Sequence, residues 1–332
     1  MRFHLSEEQI AIQDAVRGTL ADCWPMERLH KFADSGDDFD PDSWAALMGL
    51  GLGGILLPDS GMGLLDAALV SEVAGEMAAP GPLIAQLLAV AAVARSGSEA
   101  ARAHLDGLVA GTTIAALALG DSQFVQSARA AQVLLVGDRD GGIALVEAGE
   151  GVTIEPVQPT DRSRPVSRVS FAGAIRHELF SAGDPLAASL CDAALVLIAA
   201  DALGGALHCT DISVAYAKER EQFGQPSGRF QALKHQLAHM ALDAEPARAL
   251  VWYAAYAWDA GLPDAARAAA MAKAHLCDVY VRSTRAAVAA HGGIGYTWEY
   301  GLNYWFRRAV LNRAWLGSPA EHRVRAAVMA GW

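Results

Sequence analysis

The sequence is short of cysteine, of aromatic side chains and of positive charge, and each shortage narrows the field. Its four cysteines, Cys23, Cys191, Cys209 and Cys277, stand far apart with no CxxC or CxxxC pair. That spacing argues against a disulfide framework and predicts reduced, buried thiols in an intracellular protein. Aromatics make up only 7% of the chain against 53% hydrophobic residues, with alanine abundant. Cores of small residues suit closely packed helices better than a β-sandwich. Acids outnumber bases, 37 against 26, for a formal net charge of -11. This balance argues against nucleic acid as a partner, although a few arginines can still gather around an anionic ligand. No apolar run follows Met1, Arg2, Phe3 and His4, and the segment from Ile84 to Val93 is too short for a bilayer, which needs about 20 residues. The expectation is a soluble, cytoplasmic protein with no membrane segment. Gly-x-Ser-x-Gly, P-loop and Rossmann fingerprints are also missing.

What is present falls into three parts. Ser6 followed by Glu7 and Glu8 predicts a helix start, and Ile10, Ala11, Ala15, Val16 and Leu20 follow helical spacing. Pro41-Asp42-Ser43 opens a second helix that ends at Gly49. Further helices are expected from Leu64 to Ala78, Leu83 to Ala94 and Glu99 to Leu108, making 1–113 a helical domain. Short apolar runs bounded by Gly, Asp or Pro then signal strands: 112–119, 132–137, 142–146, 152–154 and 167–171. Asp138-Arg139-Asp140-Gly141-Gly142 reads as a hairpin turn. A small β-domain is therefore expected over 114–175. From 185 to 332 helical periodicity returns, with long segments at Leu186 to Arg220 (one helix or two), Phe230 to Ala260 and Asp264 to Ala290. Shorter ones follow at Glu299 to Arg313 and Glu321 to Met329, and Pro246 predicts a kink or offset in the second long segment. The fold class is mainly α with a small β-domain, closing on a C-terminal bundle of four-helix type.

Two polar breaks interrupt the C-terminal helices: Arg220-Glu221-Gln222-Phe223-Gly224 through Phe230-Gln231, and His291-Gly292-Gly293-Ile294-Gly295. Together with Trp44-x-x-Leu-x-x-Leu-Gly-Leu, Phe230-Gln231-x-x-Lys234-His235 and Tyr296-Thr297-Trp298-Glu299, they stand in an order and spacing that resembles the acyl-CoA dehydrogenase family. The likeness covers most of the chain and is strongest in the C-terminal part. It implies FAD as cofactor, an acyl-CoA substrate, an electron-transferring flavoprotein as acceptor, and at least a dimer, because this region meets the FAD of a neighbouring subunit. The FAD contacts it implies are Arg220, Gln222, Phe223, Phe230, Gln231, Gly292, Gly293 and Ser318. Their chemistry agrees: an arginine fork suits pyrophosphate or ribose oxygens, an aromatic face suits adenine, and paired glycines let backbone approach a phosphate. The plainer alternative gives Arg220 a bundle carboxylate and makes the glycines a helix cap.

The chain departs from the family where proton chemistry is needed. The usual base, a Glu near the C-terminus, falls on Leu316 in Trp315-Leu316-Gly317-Ser318. The alternative Glu-Arg position at the start of the bundle falls on Ala194 and Leu195. The nearby carboxylate on the same helix, Asp201, could be a relocated base, a ligand for a polar acyl group, or a structural cap or ion-pair partner. The loop expected to hold the flavin ring is abbreviated to Gly120-Asp121-Ser122-Gln123-Phe124, although Asp161-Arg162-Ser163-Arg164 resembles a late family element, and Ala289 replaces a customary glutamine. These losses resemble the short subunits of α2β2 acyl-CoA dehydrogenases, including those acting on steroid side chains, where a partner supplies the base. A homodimer is the other assembly. A flavin monooxygenase or hydroxylase of the same fold, or a non-catalytic scaffold subunit, are the alternatives in function.

Other signals have plain explanations. Glu219 and Glu221 flank Arg220 as a solvated cluster, and Trp252, Tyr253, Tyr256 and Trp258 suit helix packing. His235 and His239 sit one turn apart with no third ligand at a recognisable spacing, so no metal is expected. Arg307, Arg308 and Arg313 could meet CoA or FAD phosphates or lie on a solvated helix face.

Overall fold

The computed structural model describes residues 4–120, 124–138 and 140–332. Met1, Arg2 and Phe3, residues 121–123 of the abbreviated loop, and Arg139 of the expected hairpin turn lie outside the described residues.

Among the described residues seven α-helices come first: α1 (Glu7–Cys23), α2 (Met26–Ser35), α3 (Pro41–Met48), α4 (Leu64–Glu76), α5 (Leu83–Arg95), α6 (Glu99–Arg102) and α7 (Leu105–Ala110). Ser6 starts α1 with a reciprocal cap. Its Oγ accepts from the Gln9 backbone at 3.2 Å, and Gln9 Oε1 accepts from the Ser6 backbone at 3.1 Å. The helix α2 was not expected, yet its signal was present: Leu29, Phe32 and Ala33 are buried at helical spacing. The single helix expected from Glu99 to Leu108 divides into α6 and α7.

Among the described residues seven strands follow: β1 (Ala115–Ala118), β2 (Phe124–Gln126), β3 (Val133–Gly137), β4 (Ile143–Glu147), β5 (Val152–Val157), β6 (Val166–Phe171) and β7 (Arg176–Phe180). One sheet has the order β1-β3-β4-β7, with β1 and β3 parallel and the other pairs antiparallel. The other, β2-β6-β5, is antiparallel. Strand β1 shows why both faces of the larger sheet are dry. Ala115 and Leu117 belong to the helical core, while the alternate Ala116 and Ala118 join Val125, Leu134, Val146 and Val169 between the sheets. Strand β7 lies beyond the expected end of the β-domain at 175. Its polar sequence hides it, because an edge strand half open to solvent lacks an apolar run.

The C-terminal part holds α8 (Pro185–Glu219), the short hairpin β8 (Glu221–Gln222) and β9 (Gln225–Pro226), then α9 (Gln231–Ala244), α10 (Arg248–Asp259), α11 (Ala265–His291), α12 (Leu302–Ala314) and α13 (Pro319–Met329). The break between α9 and α10 falls at Pro246, as expected. The helix α8 is one continuous element, much longer than the apolar segment from Ile84 to Val93. Among the described residues it is the one helix long and apolar enough to cross a membrane. Here protein takes the place of lipid: every residue from Asp192 to Ala206 is buried, with α4 and α11 packed along it.

That packing depends on glycine. A Cβ on Gly204 would lie 1.8 Å from the Glu72 carbonyl oxygen, and one on Gly75 would lie 2.0 Å from the Asp201 carbonyl oxygen. The backbones of α4 and α8 therefore cross in contact. Further along α8, His208 stacks on Trp305 at 4.3 Å and 14°, and burial lowers its pKa to about 4. The folded chain holds this imidazole neutral, so stability is full above the usual histidine pKa of about 6.5 and declines as pH falls toward 4. Urea unfolding at pH 7 and pH 4.5 should show that loss, and His208→Phe should reduce it.

Candidate functional site

Three features along the long helices bear on function. The first is the surface predicted to meet FAD. At the C-terminal ends of α8 and α11, Tyr216 stacks on His291 with ring centroids 4.5 Å apart. This contact brings the Arg220 and Gly292 segments together. Arg220 is exposed at the C-cap of α8 and, among the described residues, forms no ion pair, so the alternative of a bundle carboxylate finds no partner. The hairpin turns through Phe223 and Gly224, with φ of 55° and 73°, a left-handed pair that a two-residue hairpin requires. Phe223 is 92% exposed and meets Phe230 edge-on at 6.0 Å. A phenylalanine held in the left-handed region and offered to solvent is costly on both counts. Gln222 and Gln231 are exposed beside it, and Gly292 ends α11 with φ 64° and ψ -140°, a conformation that only glycine adopts readily. A Cβ on Gly292 or Gly293 would find nothing within 4 Å, so this backbone lies open.

Ser318 is not part of that cluster. It caps α13, accepting from the Glu321 backbone at 3.3 Å. It follows the turn clamped by Lys273, some 19 residues before Gly292 on α11, or about 28 Å along the helix. Ser318 thus stands apart from the other seven predicted contacts.

The second feature is the turn at Leu316, where the family's usual base would stand. Leu316 has φ 56°, a strained conformation for a leucine. Its neighbours enforce it. Fully buried Lys273 donates to the carbonyls of Asn312 at 2.8 Å and Gly317 at 3.2 Å, and His322 Nε2 donates to the Leu316 carbonyl at 2.8 Å. Clefts open on both sides of the turn. One, of about 300 Å³, is lined by Phe124, Asp161, Arg164 and Trp315. The other, of about 590 Å³, is lined by Cys191, Leu195, Glu321, His322 and Arg325. Glu321 is the one carboxylate residue lining the larger cleft among the described residues. It is committed to the cap of α13, accepting from the Ser318 backbone at 2.6 Å, and that bond lowers its pKa.

The third feature is Asp201, fully buried and paired with Arg164, which lines the smaller cleft. Its Oδ2 accepts from Arg164 at 2.6 Å and Arg308 at 2.5 Å. Its Oδ1 accepts from Arg308 Nε at 3.1 Å and from Asn312 at 2.6 Å. Burial alone would raise its pKa, but Arg164 and then Arg308 outweigh it and hold the carboxyl at about 2. Of the roles open to Asp201, the geometry supplies partners for the ion pair. An anion held so firmly by two guanidiniums makes a poor proton acceptor. Arg308 corrects both expectations for it, since it is neither on a solvated face nor free for a phosphate. Besides Asp201 it donates to the carbonyls of Ala79 at 2.9 Å and Ala74 at 3.3 Å. Arg313 pairs with Asp278 at 2.9 Å, and Arg307 donates to the Thr160 carbonyl at 3.1 Å. Sequence reading missed Asn312 and Lys273. A polar residue in an apolar helical pattern is a weak signal until its partner is known.

The chain has relatives of matching length. IpdE2 of Mycolicibacterium smegmatis, an acyl-CoA dehydrogenase, is 30% identical over 323 residues, which span 96% of this chain and 97% of that one. The chain belongs to the acyl-CoA dehydrogenase family. Residues 6–112 match the N-terminal domain of acyl-CoA dehydrogenases and residues 186–327 the C-terminal domain. FadE34 of Mycobacterium tuberculosis, also named an acyl-CoA dehydrogenase, is 31% identical over 98% of this chain, which spans 49% of that protein. A solved structure of the steroid acyl-CoA dehydrogenase Tcur3481-Tcur3483 superposes with a TM-score of 0.88 at 28% identity, covering 98% of each chain. The chain is thus an acyl-CoA dehydrogenase of the short type, with FAD the cofactor of its family. The surface around Arg220 fits that cofactor: a free guanidinium for phosphate oxygens, an exposed aromatic face for adenine, and open glycine backbone.

Proposed function

We propose that this protein is the base-less subunit of a hetero-oligomeric, FAD-dependent acyl-CoA dehydrogenase that desaturates the α,β bond of a bulky acyl-CoA thioester, such as a steroid side chain. The observation that carries the proposal is Leu316. The turn where the family's usual base would stand is strained and clamped by Lys273 and His322, yet presents an aliphatic side chain. Ala194 and Leu195 leave the alternative position empty as well. A partner's carboxylate takes the α-proton, while bound FAD supplies the hydride acceptor. In this reading the protein's own residues bind and orient. Arg220, Gln222, Phe223, Phe230, Gln231, Gly292 and Gly293 hold the adenine and phosphate side of an FAD shared across the subunit interface, and Ser318 serves a second FAD at the far end. Leu195 and Leu316 exclude water from the acyl group. Electrons pass on to an electron-transferring flavoprotein, and the assembly is α2β2, soluble and cytoplasmic.

The test is co-purification with a longer, Glu-bearing acyl-CoA dehydrogenase subunit, reading native mass, flavin stoichiometry and anaerobic bleaching by a steroid-side-chain acyl-CoA. Bleaching is expected of the complex and not of this chain alone. A flavin-loaded homodimer with normal turnover would overturn the proposal. In the complex, Arg220→Ala should weaken FAD about 10- to 100-fold by equilibrium dialysis, as expected for losing a charge-assisted hydrogen bond. Arg220→Lys should restore only part of it, because a point charge lacks the fork.

A further inference from the structure

A second cluster of chemically capable side chains lies far from the flavin surface, where the helical domain meets the larger sheet. Leu145 on β4 stands opposite His177 on β7, so Glu147, two residues on, shares the face of His177. His104, between α6 and α7, reaches the same point. His177 Nε2 lies 2.8 Å from Glu147 Oε1, and His104 Nε2 lies 3.4 Å from the same oxygen. One ligand atom from each residue falls within 4.8 Å of the other two. We propose that His104, Glu147 and His177 form a binding site for a divalent transition-metal ion of the zinc class.

Imidazole and carboxylate together suit such an ion, and bonds of about 2.0–2.2 Å in a tetrahedron set neighbouring ligand atoms about 3.3 Å apart. The separation from His104 to Glu147 already has that value, and the one from His177 opens to it by a small rotation of the Glu147 carboxylate. The three residues come from separate segments with fixed backbones. Glu147 N–H donates to the Ile175 carbonyl at 3.1 Å, and His104 N–H donates to the Ala101 carbonyl at 3.0 Å. The side chains of His104, Glu147 and His177 remain 26%, 38% and 16% exposed, which leaves an entry path and a fourth position for water. Bound metal would fasten the corner between α6 and α7 to the edge of the sheet. Without metal, the two imidazoles lie against the same carboxylate oxygen, so the three side chains are already gathered at one point.

The probe is Zn²⁺ added to the metal-stripped protein, followed by calorimetric titration and by Tm, with Co²⁺ as a spectroscopic stand-in. One saturable equivalent is expected, together with a rise in Tm. His104→Gln and His177→Gln should each weaken binding by about tenfold or more, as loss of a direct ligand demands. Wild-type affinity in the double variant would overturn the site, as would no saturation at concentrations approaching the millimolar range. Should the variants fold poorly, the Co²⁺ spectrum of the unaltered protein decides. Ligand-field bands without thiolate charge transfer support the assignment, whereas a thiolate band moves the metal to a cysteine and refutes it.

Discussion

Replacing Asp201 by Ala is expected to cost about 3–5 kcal/mol of stability, the usual penalty for stranding a buried charge. The variant should show a sharply lower Tm or urea midpoint, or accumulate as insoluble protein. The cause is what remains behind. Arg164 and Arg308 are both buried, and both direct guanidinium nitrogens at the same carboxylate. Without the anion, two cations face each other in a site closed to water, with Asp161 nearby, whose own pKa burial raises. The network also joins separate parts of the fold: α8 through Asp201, α12 through Arg308 and Asn312, the loop before β6 through Arg164, and the end of α4 through the Ala74 carbonyl. Arg164 lies over the Trp315 ring at 5.9 Å, so its loss should also loosen the turn that carries Leu316. Removing charge together with its partners, as Asp201→Leu with Arg164→Met and Arg308→Met, should recover much of the stability. Unchanged Tm in Asp201→Asn with lost flavin bleaching would instead return Asp201 to the role of base. Because the carboxyl is held at about 2, its contribution persists down to the ordinary carboxylate range and is lost only as pH falls further toward 2.

Gly204→Ala should be nearly as damaging, about 3 kcal/mol or more, although it adds one methyl group. The new carbon would meet the Glu72 carbonyl at 1.8 Å and the Glu76 amide nitrogen at 2.9 Å, both of them backbone atoms that cannot rotate away. Relief requires α4 and α8 to separate, which opens the packing along the central helix and shifts the carbonyls that Arg308 uses. Gly75→Ala should behave alike, since its partner is the Asp201 carbonyl. Gly18→Ala is the control. Gly18 lies on the exposed side of α1, and a Cβ added there would find nothing within 4 Å. That substitution should be neutral or stabilise by about 0.5–1 kcal/mol. Thermal unfolding of the three variants side by side checks the contrast.

Much of the architecture was legible because local rules govern it. The cap at Ser6 and the break at Pro246 each rest on a few adjacent residues. The hairpin at Phe223 and Gly224 and the glycine break after His291 likewise carried their identity in their order along the chain. Less was legible in the strands, where β7 lacks an apolar run and β2 is only three residues long. In such short elements pairing across the sheet decides the conformation, and a pairing partner many residues away leaves no local mark.

By itself, then, the sequence determined the order of helical domain, β-domain and bundle, the family, and the absence of a carboxylate at Leu316 and Ala194. These follow from periodicity, motif order and the identity of single residues. Tertiary structure decided which charges meet. Asp201 lies 37 residues from Arg164 and 107 from Arg308, and only the crossing of α8 with α12 and the β-domain loop makes them one ion-pair group. The same holds for His104, Glu147 and His177, and for the separation of Ser318 from the Arg220 surface. Electrostatic and ligand chemistry acts over a few ångströms in space, and distance along the chain carries no record of it until the backbone has folded.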